Sequence, residues 1–412
     1  MTSARVIIEG LRSGIPYRET AQAITIGREG SLRALTSLMD TVSHGRRPNA
    51  FGQVIRAQYG EGKTHLMHAM AHQAWDANWV VSMLSISKET PLDRLDHLYP
   101  KLVSNTYRPG SKQAGLDAII TESLAEPHLL AESRAVDLTE RTRTVLDNLA
   151  RQNAGTAELL ADVSGQFLTL AELKRIHREN FHKLLKIPST RIQEEIPAYL
   201  ILVDWLIARA GYEGWLILID EVEVLGKFGR GGRARSYANM GRFLTGLGDR
   251  TISVWAVAGN FQTDVLVERH DMEQIPQWLS ARPREAASAD WARIALEELA
   301  TARPLPSPTT AEIRELMRRI YELHQDAYHW TVPVTHDRFY DMVRENVGTL
   351  DARLRTWVRL ALGLLDLWFQ YGVDGIEVRA EFIEDVDLSE DDEVERDGEA
   401  DGQVILRPRL FE

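Results

Sequence analysis

The sequence has 412 residues, which is too long for a single small core and suggests two or three domains of about 150 residues each. Hydrophobic residues make up 44% of the chain and charged residues 26%, so extensive disorder and fibrous structure are excluded. The absence of cysteine excludes a disulfide scaffold, a cysteine nucleophile and thiolate metal sites. Nowhere do about 18 apolar residues run uninterrupted, so we expect no signal peptide and no membrane span, and a cytoplasmic protein.

The negative charge is concentrated near the C-terminus. The formal net charge is −12, yet residues 381–402 contain 12 acidic residues and one arginine, so the rest of the chain is nearly neutral. We predict a solvated acidic tail over residues 372–412. Two alternatives stay open: the tail mimics nucleic acid or covers a basic surface until a partner displaces it, and its apolar end, residues 404–411, docks back onto the body or a partner.

The first part of the chain predicts helices that alternate with strands. In order, the pattern indicates a helical start, an extended piece at 23–27, a helix at 28–41, a strand at 51–57, a glycine-rich turn at 58–64, a helix at 65–74 and a buried strand at 79–86. Between residues 88 and 209 helical periodicity prevails, which predicts a large helical insertion.

The pattern after the insertion predicts, in order, a buried strand at 215–219, a loop at 229–235, a helix at 236–247, a strand at 251–258 and a fifth strand at 292–296. Strands that alternate with helices imply a parallel sheet covered on both faces. Beyond a proline-rich hinge at 302–308, helices at 310–328, 335–345 and 351–369 predict a small lid. The predicted divisions are therefore two parts of one sheet core (1–87 and 210–301), the insertion (88–209), the lid (302–371) and the acidic tail (372–412).

A phosphate cradle is predicted in the sequence AQYGEGKT. Polyphosphate binding requires a tight turn whose N–H groups converge on the phosphate oxygens, a following helix N-terminus, a lysine, and a hydroxyl for Mg²⁺. Gly60 and Gly62 suit the turn, Lys63 supplies the charge and Thr64 the hydroxyl. The first position of the G-x-x-x-x-G-K-[ST] pattern is Ala57, and we expect alanine to be poorly tolerated where a glycine conformation is needed. The alternative is a surface turn that happens to contain Gly-Lys-Thr.

The second half of such a site is an acidic residue at the end of a buried strand, next to a carboxylate that orients the attacking water. The run WLILIDE ends in Asp220 and Glu221. We assign Asp220 to Mg²⁺, through water, and Glu221 to activation of the attacking water. The alternative is a strand followed by a solvated turn, and the glycine-rich turn upstream favours the nucleotide site.

Several residues outside the cradle are candidates for a role in phosphoryl transfer. Asn260 follows the strand TISVWAVAG and would lie between the attacking water and the γ-phosphate; the alternative is an asparagine that forms a turn. Arginines neutralise charge on the transferring phosphoryl group. Arg282 and Arg284 are candidates from a neighbouring subunit, and Arg353 and Arg355 from the same chain. For each arginine, the alternative is an ordinary surface charge.

Two basic segments have no assigned role. Residues 227–235 (KFGRGGRAR) are either a mobile solvated loop or a device that carries nucleotide state to a nucleic acid or a neighbouring subunit. Residues 174–186 (KRIHRENFHKLLK) are either a DNA-facing helix or the wet side of an amphipathic helix, and we favour the latter. His177 and His182 lack a third ligand nearby, which argues against a zinc site.

With these residues in place, the chain resembles AAA+ type P-loop ATPases of the branch that contains origin-recognition and signal-transduction proteins. Residues 24–29 (ITIGRE) resemble an element that lies against the adenine in those proteins, and Asp351-Ala352-Arg353 stands where that branch has a Pro-Arg lid signature. The resemblance to the BREX-associated ATP-binding protein family BrxD is closer. It is carried by residues 59–65 (YGEGKTH), the insertion before residues 219–221 (IDE), the strand tip at 258–260 (AGN) and Leu323-His324 in the lid.

The resemblance implies an α/β fold of the P-loop NTPase, AAA+-like type, with ATP and Mg²⁺ as ligands. The nucleotide-binding residues that it implies are Gly27, Arg28, Tyr59, Gly60, Glu61, Gly62, Lys63, Thr64 and His65. It also implies bacterial anti-phage defence alongside helicase or DNA-modifying partners, and we expect a ring or partial ring with nucleotide at a subunit interface. A rival hypothesis is a scaffold that holds ATP without turnover; Ala57 favours the scaffold and the Asp220-Glu221 pair favours turnover.

Overall fold

The computed structural model describes residues 4–13, 21, 23–126, 132–347 and 353–372. Within them one sheet contains five strands in the order β1-β5-β4-β2-β3. The strands are β1 (Gly52–Ala57), β2 (Trp79–Ser85), β3 (Thr106–Tyr107), β4 (Gly214–Asp220) and β5 (Thr251–Ala258). All neighbouring strands pair in parallel except β2 and β3, which pair antiparallel. The predicted parallel sheet is therefore confirmed for the four long strands.

The central strands have no solvent-facing side, which explains their continuous apolar sequences. Every residue of β4 is buried, and so is every residue of β5 up to Val257. Alternate side chains enter two separate cores: Ile217 and Trp255 belong to one, and Leu218 and Val254 to the other. Each face of the sheet is covered by helices, as the sequence pattern predicts.

The carboxyl ends of the four parallel strands meet at one edge of the sheet. Asp220 ends β4 beside Ser85 of β2, and Ala57 ends β1 beside Ala258 of β5. Segments that follow these strands must therefore lie together, because parallel strands end on the same side. This edge carries the candidate site.

One helix precedes β1 and another follows it, and both pack on the same face of the sheet. These are α2 (Glu29–Ser43) and α3 (Lys63–Asp76), whose buried residues join Leu216 and Leu218 in one core. The insertion between β2 and β4 contains β3 and, in order, α4 (Leu95–Ser104), α5 (Asp117–Leu124), α6 (Glu140–Leu149), α7 (Thr156–Val163), α8 (Leu170–Phe181) and α9 (Ile192–Arg209). Its buried side chains merge with the core on the other face of the sheet, so insertion and sheet share one apolar interior.

Three helices follow β4 and β5: α10 (Arg230–Thr245), α11 (Asp271–Ser280) and α12 (Ala289–Thr301). The predicted loop at 229–235 is wrong, because all of it except Gly229 lies in the first turns of α10. The Arg233 guanidinium is buried there and donates to both carboxylate oxygens of Asp271, at 2.7 and 2.8 Å. This buried ion pair fixes the segment as helix, and Tyr237 donates a further hydrogen bond of 2.9 Å to Asp271.

The predicted fifth strand at 292–296 is also wrong, because these residues lie inside α12. Ala292, Ala295, Leu296 and Leu299 are buried at helical spacing, a pattern that a five-residue window cannot distinguish from a strand. The outer edge of β1 is instead contacted by the linker to the lid. Pro304 forms a single parallel bridge with Arg56, next to a 2.8 Å hydrogen bond from Leu305 N–H to the Arg56 carbonyl.

The lid consists of α13 (Thr310–Tyr328), α14 (His336–Val347) and α15 (Leu354–Tyr371). The N-terminal helix α1 (Ala4–Ser13) packs on these helices rather than on the sheet, and its Ile8 is fully buried in the lid core. Asp351 and Ala352, and the acidic tail from residue 373 onward, lie outside the described residues. No helix in the described ranges is long and apolar enough to cross a membrane.

The predicted extended piece at 23–27 is wrong in its first half. Ala23 and Ile24 are helical, and Thr25 N–H donates to the Ala21 carbonyl four residues earlier. Ile24 and Ile26 are both buried in the lid core. This segment therefore joins the lid to α2.

Candidate functional site

The turn between β1 and α3 has the backbone form that the sequence predicts for a phosphate cradle. Gly60 and Gly62 adopt positive φ angles of 78° and 88°, a region that favours glycine. Helix α3 begins at Lys63, immediately after the turn, so its unpaired N–H groups face the space beside the turn. Inside the turn, the Glu61 carboxylate accepts a 2.7 Å hydrogen bond from the Gln58 N–H.

The expected penalty for alanine at the first position of the motif is absent. Ala57 is the last residue of β1, pairs with Ala258 of β5, and is not among the residues with positive φ. Extended backbone accepts any side chain, and the Ala57 methyl is buried in the sheet core. The expectation that alanine is poorly tolerated here is therefore wrong.

Two side chains at the start of α3 reach the sheet edge. The Lys63 amine donates a 3.0 Å hydrogen bond to the Ala57 carbonyl and lies 3.5 Å from the Gln58 carbonyl. The Thr64 hydroxyl donates to the carboxylate of Asp220, 156 positions away in sequence. The structure thus joins the two halves of the predicted site directly.

The end of β4 presents three carboxylates in four residues. Asp220 is buried and accepts a 2.9 Å hydrogen bond from the Glu221 N–H. Glu221 adopts a left-handed backbone with φ of 59°. Its pKa is raised by partial desolvation and by the carboxylates of Asp220 and Glu223, against the opposing charges of Lys63 and Lys227.

Glu223 is a site residue that the sequence analysis missed. Its carboxylate accepts a 3.0 Å hydrogen bond from the N–H of Ala258, at the tip of β5. This contact ties the turn after β4 to the strand end that precedes Asn260. The second glutamate in the sequence IDEVE is the signal that could have identified it.

These residues line one cavity of about 340 Å³ at the carboxyl edge of the sheet. Its polar wall contains residues 59–65 together with Asp220, Glu221 and Glu223. Its apolar wall is formed by the N-terminal segments and the lid, through Leu11, Ile24, Ile26, Leu316, Leu354 and Val358. A charged end beside an apolar end suits a ligand with a polyphosphate and an aromatic base.

Arg28 lines the cavity, and its guanidinium donates hydrogen bonds to three backbone carbonyls, that of Gly27 at 3.4 Å and two more distant in sequence. It donates to Pro306 in the linker at 2.7 Å and to Glu61 in the glycine-rich turn at 2.9 Å. Burial lowers its pKa, against the nearby carboxylates of Glu61, Glu312 and Glu29. Arg28 thus braces the turn against the linker to the lid.

The neighbouring Gly27 has a positive φ of 60°, and a Cβ there would lie 2.8 Å from the Glu312 carboxyl group of the lid. Gly27 is not part of the cavity wall formed by the described residues. The structure therefore places Gly27 at the contact between this segment and the lid helix α13.

His65 connects the start of α3 to the same segment. The Thr25 hydroxyl donates to the Ala21 carbonyl, so it accepts the 2.8 Å hydrogen bond from His65 Nε2. Desolvation lowers the pKa of His65 to about 4, and the charges of His68 and Arg28 add to the shift. His65 is therefore neutral in the folded protein at neutral pH.

The depressed pKa predicts an acid-dependent loss of stability. In the unfolded chain this histidine binds a proton below about pH 6.5, whereas in the folded chain it binds one only below about pH 4. The folding stability therefore falls as the pH falls from about 6.5 to about 4. We expect a loss of about 2 kcal/mol between pH 7 and pH 5 from this group. The His65→Gln variant retains an Nε2 donor for Thr25 and removes the titration. Urea unfolding at both pH values measures the effect, and an identical pH dependence in the two proteins would refute it.

The lid contributes two arginines to the cavity wall, Arg355 and Arg359. Arg355 donates a 2.8 Å hydrogen bond to the Tyr59 hydroxyl, and its backbone N–H lies 3.4 Å from the Gly60 carbonyl. Arg353 packs against the turn, since a Cβ on Gly60 would lie 3.1 Å from its Cδ, but Arg353 is outside the wall. The sequence analysis missed Arg359, which its i, i+4 spacing from Arg355 on one helix could have indicated.

Besides Gly27 and Arg353, two further predicted residues, Asn260 and Arg282, are outside the cavity wall formed by the described residues. The exposed Asn260 amide donates a 2.7 Å hydrogen bond to Asp264. Arg282 lies over the Trp278 ring, 3.5 Å from its centroid, and donates a 2.8 Å hydrogen bond to the Trp278 carbonyl. Their catalytic roles remain predictions.

The geometry defines a class of protein. A glycine-rich turn follows β1, an Asp-Glu pair ends β4, and β5 lies between these two strands, which is the arrangement of an AAA+-like P-loop nucleotide-binding protein. The chain belongs to the BREX system ATP-binding protein BrxC/D family, whose model matches residues 2–153 and 133–368. The resemblance to the BREX-associated ATP-binding proteins is thereby confirmed, for a family that includes BrxC as well as BrxD.

Two solved structures are similar to this chain at low sequence identity. A Walker-type ATPase of Pyrococcus abyssi is 12% identical with a TM-score of 0.40, and the match covers 90% of this chain and 76% of that chain. Domain III of the replication initiation protein DnaA of Thermotoga maritima is 14% identical with a TM-score of 0.34, and the match covers 88% and 93%. No curated protein matches the chain.

Proposed function

We propose that this protein is a Mg²⁺-dependent ATPase of a bacterial BREX-type phage-defence system, and that its nucleotide state is coupled to DNA or to a DNA-processing partner. One observation carries the hydrolytic part of the proposal. The Thr64 hydroxyl is hydrogen-bonded to Asp220, next to Glu221, in the wall of the cavity that Lys63 also lines. Family membership supports the defence setting.

Residues of the glycine-rich turn would bind the phosphates. Backbone N–H groups around Gly60 and Gly62 and the N-terminus of α3 would donate to phosphate oxygens, and the Lys63 amine would exchange its carbonyl contacts for them. Tyr59 and Glu61 shape the turn, while Gly27, Arg28 and His65 hold the segment that carries Ile24 and Ile26 against the apolar end. The base would lie at that apolar end.

The donor set fits Mg²⁺. This ion is usually held by one or two protein oxygens together with substrate phosphates and water, and the Thr64 hydroxyl and Asp220 carboxylate supply two adjacent oxygens. We propose Thr64 and Asp220 as its ligands, Asp220 through water. The ion would neutralise charge on the phosphate oxygens.

Glu221 would take the proton from the attacking water. Its raised pKa brings the carboxylate closer to a useful base strength, while the adjacent Lys63 and Lys227 limit the shift. We propose Asn260 for orientation of that water, Arg353 or its neighbour Arg355 for charge neutralisation within the chain, and Arg282 for the same task from a neighbouring subunit in a ring or partial ring. We also propose a cytoplasmic location.

The scaffold hypothesis loses the sequence feature that favoured it. Ala57 lies in extended backbone, where alanine has no steric cost. A scaffold also has no need for the acidic turn in which Asp220, Glu221 and Glu223 lie close together, since like charges destabilise one another. We therefore favour turnover.

Coupling to DNA predicts that duplex DNA changes the rate of hydrolysis. We expect steady-state phosphate release by the purified protein to rise severalfold when a duplex of about 30 base pairs is added at low salt, and to lose this stimulation at high salt. A protein that hydrolyses ATP at the same rate with and without duplex would leave the ATPase proposal standing and contradict the coupling.

A further inference from the structure

A cluster of cations lies on the helical insertion, away from the nucleotide cavity. Helix α8 is amphipathic, with Leu173, Ile176 and Asn180 buried, and it ends at Phe181, where His182 takes a left-handed conformation. The basic segment continues beyond the helix, so its cations are not confined to the solvent-exposed face of α8. The basic surface, as we define it, consists of the exposed residues Arg151, Arg178, Lys183 and Lys186.

Within the part of the chain that the structure describes, the members of the basic surface have no acidic partners. None of the four forms an ion pair with any residue in the described ranges. Arg175, on the same helix, differs, because its guanidinium lies 2.9 Å from the Glu158 carboxylate and 3.1 Å from that of Glu179. The charge of Arg175 is therefore already compensated, whereas no described carboxylate pairs with the basic surface.

Packing around Phe181 brings the basic surface together from two helices. The Arg151 guanidinium, just beyond the end of α6, lies 4.5 Å from the centre of the Phe181 ring. His177 stacks on the same ring at 4.7 Å. Arg178 is about one helical turn before Phe181 and Lys183 is two residues after it, so both are close in sequence to the residue that Arg151 contacts.

Two carboxylates beside α8, those of Glu158 and Glu179, share the single cation Arg175. Asp147 is partly buried, and burial raises its pKa, against the charges of Arg143, His177 and Arg134. More cations than carboxylates therefore face this region, and the basic surface keeps a net positive charge at neutral pH.

We propose that the basic surface binds the phosphodiester backbone of duplex DNA. Unpaired, exposed lysines and arginines gain most from a polyanion, since they release its condensed counterions. Single-stranded nucleic acid is instead held by bases stacked on free aromatic rings, and the Phe181 ring is already occupied by Arg151 and His177. The contact is therefore to the backbone and is independent of sequence. The proposal rests on the coupling to DNA proposed above, and it identifies the residues that would contact the DNA.

Fluorescence anisotropy with a labelled 30-base-pair duplex and the full chain, across a series of salt concentrations, tests the proposal. The test variant combines Arg151→Gln, Arg178→Gln, Lys183→Gln and Lys186→Gln. We expect its Kd for duplex to rise about tenfold or more, and the slope of log Kd against log salt to fall by about 3.6, because each of the four lost phosphate contacts removes about 0.9 from that slope. The matched control is the pair Arg175→Gln and Glu179→Gln, which leaves net charge unchanged and should bind like the wild type.

Two results would overturn the proposal: a test variant with the affinity and salt slope of the wild type, or tighter binding of a single strand than of the duplex. Failure of the ATPase proposal would be recognised by a different measurement, the basal rate of phosphate release. Phosphate release in the absence of DNA does not involve the basic surface, so the test variant should retain the basal rate of the wild type. If duplex binding depended on the basic surface but left the rate of phosphate release unchanged, the proposed coupling would be refuted. The proposal that the basic surface binds duplex DNA would still stand.

Discussion

Lys63→Ala protein is expected to lose ATP affinity by about a hundredfold. The Lys63 amine lines the cavity and is held at its polar end by the Ala57 carbonyl, where it would meet the terminal phosphates. Charge-assisted hydrogen bonds contribute about 1.5 to 3 kcal/mol each, and roughly 3 kcal/mol corresponds to a factor of about a hundred in Kd. Isothermal titration calorimetry with ATP and Mg²⁺ measures the loss directly.

Lys227→Ala is the matched control for this variant. The charge of Lys227 lowers the pKa of Glu221, but Lys227 is outside the cavity wall formed by the described residues. Its removal should change ATP affinity by less than about threefold, because an exposed charge beyond contact distance is largely screened. Equal losses in both variants would mean that general electrostatics, and not the phosphate turn, accounts for binding. Unchanged affinity in Lys63→Ala protein would place the ATP site elsewhere.

Glu221→Gln protein is expected to bind ATP with nearly wild-type affinity and to hydrolyse it about 10² to 10⁴ times more slowly. General-base catalysis contributes a factor of this size, and an amide cannot accept the proton of the attacking water. Folding should not suffer, because desolvation and the carboxylates of Asp220 and Glu223 raise the pKa of Glu221, so the substitution removes an unfavourable charge. Phosphate release together with ATP affinity gives both quantities.

The Glu223→Gln variant tests whether a neighbouring carboxylate could act as the general base in place of Glu221. The amide oxygen of glutamine can still accept the hydrogen bond from Ala258 N–H, so the turn keeps its position while the charge is lost. We expect turnover within about tenfold of the wild type. If Glu223→Gln were as impaired as Glu221→Gln, the assignment of the base would have to move to Glu223 or to the pair.

Local patterns allowed much of the site to be predicted. A glycine-rich turn between a strand and a helix, and an Asp-Glu pair after an apolar run, are short-range features, and the parallel sheet brings Thr64 and Asp220 into contact without further information. The order of β1, β5 and β4 was not predicted, because parallel strands that end at one edge are compatible with several orders. The predicted parts needed only the periodicity of the sequence.

Long-range partners could not be predicted in this way. Arg28 donates to carbonyls 33 and 278 positions away, and backbone acceptors leave no signal in a sequence. The strand predicted at 292–296 failed because Ala292, Ala295 and Leu296 suit a buried helix as well as a buried strand. The loop predicted at 229–235 failed because its glycines suggested a turn, while the buried pair of Arg233 with Asp271 holds a helix.

The most direct test of the central claim is the rate of phosphate release from ATP by the purified wild-type protein, measured with Mg²⁺ and side by side with Glu221→Gln protein. The account predicts repeated turnover by the wild type that requires Mg²⁺, and at least a hundredfold less by the variant at equal ATP occupancy. Tight ATP binding by both proteins with no release of phosphate by either would contradict the account and restore the scaffold hypothesis.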